Sequence, residues 1–447
     1  MVTLFRYFRV AALSALASYL FLLAAAVFYP PVSDFFLARP IEIMKHQRGV
    51  ARLKTRDRIE GFNQPARDGK KGVIVLDPAK TYGDYTFFSS AWSPKVDLID
   101  LHGDVVHEWT IDWQKIWADP KEWKFREPPL HNIISRAFLQ PDGSVIALFS
   151  SEGSILGNYG MVKVDRDSNV IWKYNDFANH DISIMPDGKI LVLVGSIRTT
   201  PHPAVSFLKP PFLEPYLVTL DPDGRELSRL SVFDMFANSP TKKFLWQMAK
   251  EMNPQPANGD IFHPNTITRI TDEAAARNPA FERGQYLLSI RNFNMLAVVD
   301  LDLGKITWAS YGPWHGQHSP KFIADGSLVM FDNMGNLGNA RGLSRVLNVD
   351  PVTREILWEY DGTDKDPVFS SANGGVDPLP NGNVLVTETE AGRLFEVTRN
   401  KEIVWDYRAP ERVVIDGLTR IPSLFSGKRF RREDLPFLEE APPGKTP

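Results

Sequence analysis

Two histidines stand three residues apart in "YGPWHGQHSPKFIADGSLVMFDN", residues 311–333. The spacing of His315 and His318 suits a pair of metal ligands, a packed core, or a nucleophile with a neighbour, and decides between none of them. Two more histidines have comparable settings, His180 in "NHDISIMPDGK" and His263 in "DIFHPNTITRI". His180 lies six residues before the turn at Pro186, and His318 six before Ala324. Ser135 before Pro141 and Gly374 before Pro380 share that offset. His263 opens the corresponding strand between the two, its hairpin displaced by an insertion. Asn265 lies two residues on, on the same face of an extended strand. Arg291, in "LLSIRNFNML", falls on the next strand.

These residue types suit one chemistry. Imidazole, with an unperturbed pKa near ~6.5, is a neutral nucleophile or a proton carrier around pH 7. A guanidinium pairs an oxyanion through two hydrogen bonds. Histidines beside Asn and Arg, without a carboxylate set, point to an oxyanion site rather than a metal. Zinc held by histidines stays open, because Asp181 and Asp260 are close in sequence. His315 is an odd number of residues from His318, so an extended strand turns it to the other face. It is assigned to the loop.

The elements that must position these residues are short strands. After residue 72, apolar runs rich in Val, Ile and Leu alternate with Gly, Asp, Asn and Pro. One pattern is an aspartate, a polar turn and a strand usually ending in tryptophan: "DLHGDVVHEW" from Asp100, "DRDSNVIWKY" from Asp165, "DPDGRELSRL" from Asp221, "DLDLGKITW" from Asp300, "DPVTREILWEY" from Asp350 and "VTRNKEIVWDY" from Val397. The third copy lacks the tryptophan. A second pattern alternates with it: "QPDGSVIAL", "MPDGKILVL", "IADGSLVMF" and "LPNGNVLVT". Asp, Asn and Gly supply the dihedrals that hairpins require. Two hairpins per unit make four strands, and six units predict an all-β six-bladed β-propeller over 73–425 with helical insertions near 238–252 and 270–284. The first strand of each unit lines the channel, so the matched histidines face the axis. The tryptophans are assigned to the core between units. The aspartate-rich turns lack the spacing of a calcium loop.

Composition bounds the partners. The chain has 447 residues and a net charge of −3 from 51 basic and 54 acidic residues, which argues against a nucleic-acid binder. It has no cysteine, which removes disulfides and thiolate chemistry. Residues 10–29, "VAALSALASYLFLLAAAVFY", follow Arg6 and Arg9 and carry no charge. Twenty residues at ~1.5 Å each span a bilayer core of ~30 Å. The run is longer than a signal-peptide core and continues past its alanines, which points to an uncleaved anchor over 1–35 rather than a cleaved leader. The basic residues Lys45, Arg48, Arg52 and Lys54 follow the run and oppose export, yet long domains translocate largely regardless of charge. The expectation is therefore a single pass of the inner membrane with the propeller outside. A juxtamembrane helix or linker is expected over 36–72, and a tail over 426–447.

The segments "DIFHPN", "SIRN", "GQHSPKFIADGSLVMFDN", "HDISIMPDGKILVL" and "DLHGDVVHEW" resemble, in order and chemistry, the bacterial arylsulfotransferases, across roughly residues 73–425. The resemblance implies a six-bladed propeller and cofactor-free, PAPS-independent transfer of sulfate from a phenolic ester to an acceptor phenol. It implies a ping-pong reaction through a sulfated histidine. His318 matches the nucleophile; His180, His263, Asn265 and Arg291 match sulfate-binding and acid–base positions. The chain departs from the family in its apolar N-terminus, in lacking room for a small N-terminal β-domain, and in having no disulfide. Those departures leave the acceptor open, a lipid-linked or envelope glycan included. A non-catalytic propeller that binds a glycan or scaffolds an envelope complex is the rival reading, since a fold does not fix a function. A quinoprotein dehydrogenase would require eight units.

Overall fold

The computed structural model describes residues 63–119, 121, 132–151, 158–245, 247, 259–335, 344–415 and 417–439. The apolar run at 10–29 lies outside them. No helix of the described residues is long and apolar enough to cross a membrane.

The alternating hairpin patterns fold into antiparallel sheets. Sheet 1 holds Tyr85–Ser90, Lys95–Asp100 and Val105–Thr110, with Leu424–Phe430 on its inner edge. Sheet 2 holds Asn132–Leu139, Val145–Ser151, Asn158–Val164 and Val170–Tyr174. Sheet 3 holds Ala178–Ile184, Ile190–Arg198, Phe212–Leu220 and Glu226–Ser231. Sheet 4 holds Pro264–Arg269, Tyr286–Ile290, Met295–Asp300 and Lys305–Tyr311. Sheet 5 holds His318–Phe322, Leu328–Asp332, Arg345–Val349 and Ile356–Tyr360. Sheet 6 holds Gly375–Pro378, Val384–Glu388, Arg393–Val397 and Ile403–Arg408, and Gly72–Leu76 adds a fifth strand at its outer edge. Asn63–Pro65, Leu418–Pro422 and Val413–Ile415 form a separate three-stranded sheet.

The second pattern makes four equivalent hairpins. At each, an amide after the turn closes back: Gly143 N to Gln140 O, Gly188 N to Met185 O, Gly326 N to Ile323 O and Gly382 N to Leu379 O. Those glycines have φ between +76° and +89°, which a side chain disfavours. The middle strands are almost wholly buried, as at Leu191–Val194 and Val384–Glu388, because both faces pack on neighbouring sheets.

The fold is all-β and propeller-like. The innermost strands touch in order from sheet 1 through sheet 6, and that of sheet 6 touches that of sheet 1. Four of the five tryptophans of the first pattern tie their sheet to a hairpin of the next. Trp109 Nε1 donates to Gly143 O, Trp172 to Pro222 O, Trp358 to Arg399 O and Trp405 to Leu101 O, at 2.9–3.1 Å. Where the third copy lacks its tryptophan, a helix at Val232–Ala237 buries Val232, Phe233, Met235 and Phe236 instead. A second helix, Asp272–Arg277, falls in the insertion expected over 270–284, and of the one expected over 238–252 Pro240–Lys242 forms a 3-10 turn.

Both chain ends of the fold depart from expectation. Residues 426–430, expected in a tail, form the inner strand of sheet 1. Buried Phe437 packs on Trp109 and His107 beyond it. Residues 63–65 are a strand rather than helix, and Arg67 donates to Glu388 in sheet 6. The hydrophobic pattern alone could not place these segments, because their partners lie more than 300 residues away.

Candidate active site

The inner strands of sheets 3, 4 and 5 carry an irregularity near the end where the strand begins. The register shifts between Asn179 and Ile182, between Pro264 and Thr266, and between His318 and Lys321. The backbone is left-handed at His180 (φ 54°), His263 (φ 50°) and Ser319 (φ 54°). Each such residue costs on the order of 1–3 kcal/mol unless its surroundings hold it, and clusters of them mark functional sites. Ser319 is held by its amide, which donates to Thr266 Oγ1 at 3.0 Å.

The expected residues come together here. The rings of His180 and His263 lie 4.5 Å apart, tilted by 53°. His318 lies close enough to Arg291, Arg136 and His263 for their charges to act on it. The amide of Arg291 donates to His263 O at 3.1 Å, so the start of one strand and the end of the next fix both residues. The repeat offset differs from the sequence reading in one respect. Ile270 N bonds Gln285 O just as Met185 N bonds Lys189 O, so Asn265, not His263, holds the offset of His180 and His318. His263 precedes it by two residues. The insertion at 271–284 hid this, because it replaces the turn from which the offset is counted.

His318 is buried, and its hydrogen bonds set its tautomer. Nδ1 lies 2.6 Å from Asn333 Oδ1 and 2.9 Å from Gly316 O. Asn333 Nδ2 donates to Ser370 O and Asn373 O, so its Oδ1 is the atom facing the ring. Two acceptors on Nδ1 require the proton there. Nε2 then carries the lone pair, and it is buried with no partner among the described residues. Burial holds the His318 pKa well below its ordinary value, assisted by Arg291 and Arg136 and opposed by the bond to Asn333. Its imidazole is neutral at pH 7.

Burial also pushes the His180 pKa well down, with His263, His318, Arg136 and Arg291 acting in the same direction. His263 is half-buried, and its Nδ1 lies 2.5 Å from Asp260 Oδ2. The carboxylate accepts a hydrogen bond from Nδ1–H and leaves Nε2 facing the other histidines. Asn265 donates through Nδ2 to Gln317 O at 2.7 Å, and its Oδ1 has no partner among the described residues. Arg291 Nε is likewise buried without a partner among the described residues. Burial lowers the Arg291 pKa, with Asp260 and Glu390 opposing. His315 stays outside the cluster. Its ring is exposed, its amide donates to Asp332 Oδ1 at 2.7 Å, and its carbonyl accepts from Met334 N.

Sequence reasoning missed Asn333 and the part played by Asp260. Asn333 stands in "FDN", where the alternation gave no reason to separate it from Asp332. Asp332 instead holds the loop, accepting from His315 N and Arg345 Nε. Asp260 was noticed only as a possible metal ligand. The site therefore does contain a carboxylate, aimed at a histidine.

A neutral imidazole with a free Nε2, a second imidazole backed by a carboxylate, and a guanidinium with an unused donor suit transfer of an anionic group. The sequence profile of the arylsulfotransferase (ASST) family matches residues 136–410, more than half of the chain. The chain belongs to the arylsulfotransferase family. Among curated proteins, none matches the chain. Solved structures with a similar course are distant from this arylsulfotransferase-family chain. A protein of unknown function from Bacteroides caccae is 12% identical, with a TM-score of 0.47 over 78% of this chain and 100% of that one. A virginiamycin B lyase from Staphylococcus aureus is 12% identical, with a TM-score of 0.39 over 81% and 98%. The Dos1 propeller is 12% identical, with a TM-score of 0.38 over 80% and 77%.

Proposed function

We propose that this chain moves a sulfuryl group from a phenolic sulfate ester to an acceptor hydroxyl, through a covalent intermediate on His318. The observation that carries the reading is the unpartnered Nε2 of His318, with its proton fixed on Nδ1 by two acceptors. In the first half, the Nε2 lone pair attacks sulfur and the sulfur–oxygen bond to the phenol breaks. The phenolate leaves and takes a proton from Nε2 of protonated His263. The product is a sulfated imidazolium whose Nδ1–H still donates to Asn333 and Gly316. In the second half, His263 removes the proton of the acceptor hydroxyl. The acceptor oxygen attacks sulfur, the sulfur–nitrogen bond breaks, and neutral His318 returns. Splitting the transfer replaces one hard step by two easier ones.

The remaining residues have consistent roles. Arg291 faces the sulfuryl oxygens, where charge shifts during transfer. Asn265 keeps a second Nδ2 hydrogen for the same oxygens, and its Oδ1 suits the acceptor hydroxyl. His180, held neutral by burial, serves as a hydrogen-bond donor rather than the acid. His263 beside Asp260 is the better proton carrier of the two.

The sheets suit a closed ring of six blades, since the inner strands touch in a cycle and a tryptophan bond links sheet 6 back to sheet 1. The uncharged run at 10–29 suits a membrane anchor with the ring outside the inner membrane, where a phenol or an envelope glycan is the acceptor. N-terminal sequencing of the mature protein tests the anchor, and a new terminus near residue 26 would refute it.

The chemistry is tested by mass spectrometry after incubation with 4-nitrophenyl sulfate alone. A sulfuryl group is expected on the peptide containing His318 and is absent from His318→Asn, which loses turnover by at least about 10³-fold. Full turnover by His318→Asn, or an active enzyme whose mass never changes, would overturn the covalent reading.

A further inference from the structure

The channel does not end at the histidines. A cavity of about 380 Å³ runs along the hairpin-side half of the inner strands. Its size falls within the range of small-molecule sites, roughly 300–1,000 Å³. Four cations line it, each from a different sheet: Arg136 from sheet 2, Arg269 from sheet 4, Lys321 from sheet 5 and Lys428 from sheet 1. Only two carboxylates face them, Asp181 and Asp377. Both carboxylates are occupied by backbone: Asp181 accepts from Ile267 N at 3.1 Å and Asp377 from Arg429 N at 3.0 Å. Burial pushes the pKa of both carboxyls up, and the facing cations oppose it: Lys321 and Arg136 at Asp181, Lys428 and Lys321 at Asp377.

None of the four cations forms an ion pair with another described residue. Arg136 reaches only Ser135 O, at 3.4 Å, and Lys428 sits over the Phe430 ring at 5.1 Å. This contrasts with the fully buried arginines. Arg393 pairs with Glu388 and Asp406, and Arg429 with Glu396, each within 3.2 Å. Where this fold buries a guanidinium for structure, it supplies a carboxylate. Along the cavity it converges four cations and leaves them unpaired, an arrangement that costs stability unless an anion completes it.

We propose that this half of the channel is a second anion site, separate from the sulfuryl pocket, that takes a small doubly charged oxyanion of the phosphate type. Four cations against two carboxylates leave an excess of two positive charges, which a dianion neutralises and a monoanion does not. Lys428 at the exposed rim and half-buried Lys321 and Arg269 lead inward to Arg136. Arg136 also acts on His180 and His318. An anion bound there offsets the charge of Arg136 and makes both imidazoles easier to protonate. The site and the sulfuryl pocket are thereby coupled, and coupling of this kind is reciprocal.

Calorimetric titration of the full chain with inorganic phosphate tests the proposal. Three proteins are compared with the wild type: the double variant Lys321→Gln/Lys428→Gln, the double variant Lys321→Arg/Lys428→Arg, and Arg291→Gln, which empties the sulfuryl pocket of its cation. Near-ultraviolet circular dichroism verifies that each is folded. Phosphate is expected to bind the wild type, Arg291→Gln and the arginine pair alike, and at least tenfold more weakly to the glutamine pair. Absence of binding to the wild type overturns the proposal. So does binding lost in Arg291→Gln, or binding unchanged in the glutamine pair. Because the readout is binding rather than turnover, failure here leaves the sulfotransfer reading untouched.

Discussion

Asn333 Oδ1 lies 2.6 Å from His318 Nδ1, while the amide nitrogen of the same side chain donates to two carbonyls of the segment before sheet 6. One residue thus fixes the tautomer of the proposed nucleophile and ties sheet 5 to its neighbour. The bond strengthens when the imidazole becomes charged, because the Nδ1 proton then donates from a cation.

That relationship gives a prediction. Asn333→Ala should lower turnover of 4-nitrophenyl sulfate by roughly 10²-fold, about 2.7 kcal/mol of transition-state stabilisation. Sulfation of His318 should slow by the same factor in a single turnover. A variant that keeps the wild-type rate would show that Gly316 O alone holds the ring.

Asp260→Asn tests the proton carrier. The amide can still accept from His263 Nδ1, yet it no longer stabilises the imidazolium. The loss should be small for sulfates of acidic phenols, whose phenolates leave unaided. It should reach roughly 10²-fold for basic phenols, which need the proton. A uniform loss across the series would assign Asp260 a structural part only.

The depressed histidines have a stability consequence. The pKa of His180 is lowered in the fold from an unfolded value near ~6.5, so the unfolded chain binds more protons as pH falls below that value. The contribution is complete above about pH 6.5 and is lost as pH falls toward the folded pKa; His318 acts in the same sense. The groups facing His180 are His263, His318, Arg136 and Arg291, all positive or able to become so. Asp181, with its raised pKa, acts oppositely, favouring the fold at low pH. Thermal midpoints should therefore drop between pH 6.5 and 5, and His180→Asn should flatten the drop. Asparagine tolerates the left-handed backbone at that position. An equal acid drop in the variant would place the lability elsewhere.

Much of this was legible in the sequence because two periodicities coincide in it. Alternating strands marked the sheets, and the fixed distance from His180 to its "PDG" turn and from His318 to its "ADG" turn marked one level of the channel. The reading failed where information was not local. Asn265 was not recognised as holding that same level, because a helix replaces its hairpin. Asn333 acts across two sheets, and nothing in "FDN" announces the carbonyls of Ser370 and Asn373. The cationic cavity draws Arg136, Arg269, Lys321 and Lys428 from four distant strands, so no window of sequence contains it.

The C-terminal strand carries the last prediction. A sequence reading that ends the propeller at 425 makes Arg429 expendable. In the fold its guanidinium is buried, donating to Glu396 Oε2 at 3.0 Å and to Thr86 Oγ1 at 2.6 Å, and lying 4.4 Å from the centre of the Trp405 ring. Burial lowers its pKa to about 10, so it stays charged at neutral pH. Glu396 also accepts from Tyr82 N and Asn383 Nδ2, which hold the carboxylate in place whether or not the arginine is there. Removing one member of such a pair leaves a buried charge uncompensated, at a cost of about 3–5 kcal/mol. Arg429→Ala should lose that much stability in urea, with the midpoint moving and the slope unchanged. Arg429→Ala/Glu396→Gln should recover part of it, since the orphaned charge goes with the second change. A loss under about 1 kcal/mol for the single variant would mean that Leu424–Phe430 is dispensable to sheet 1.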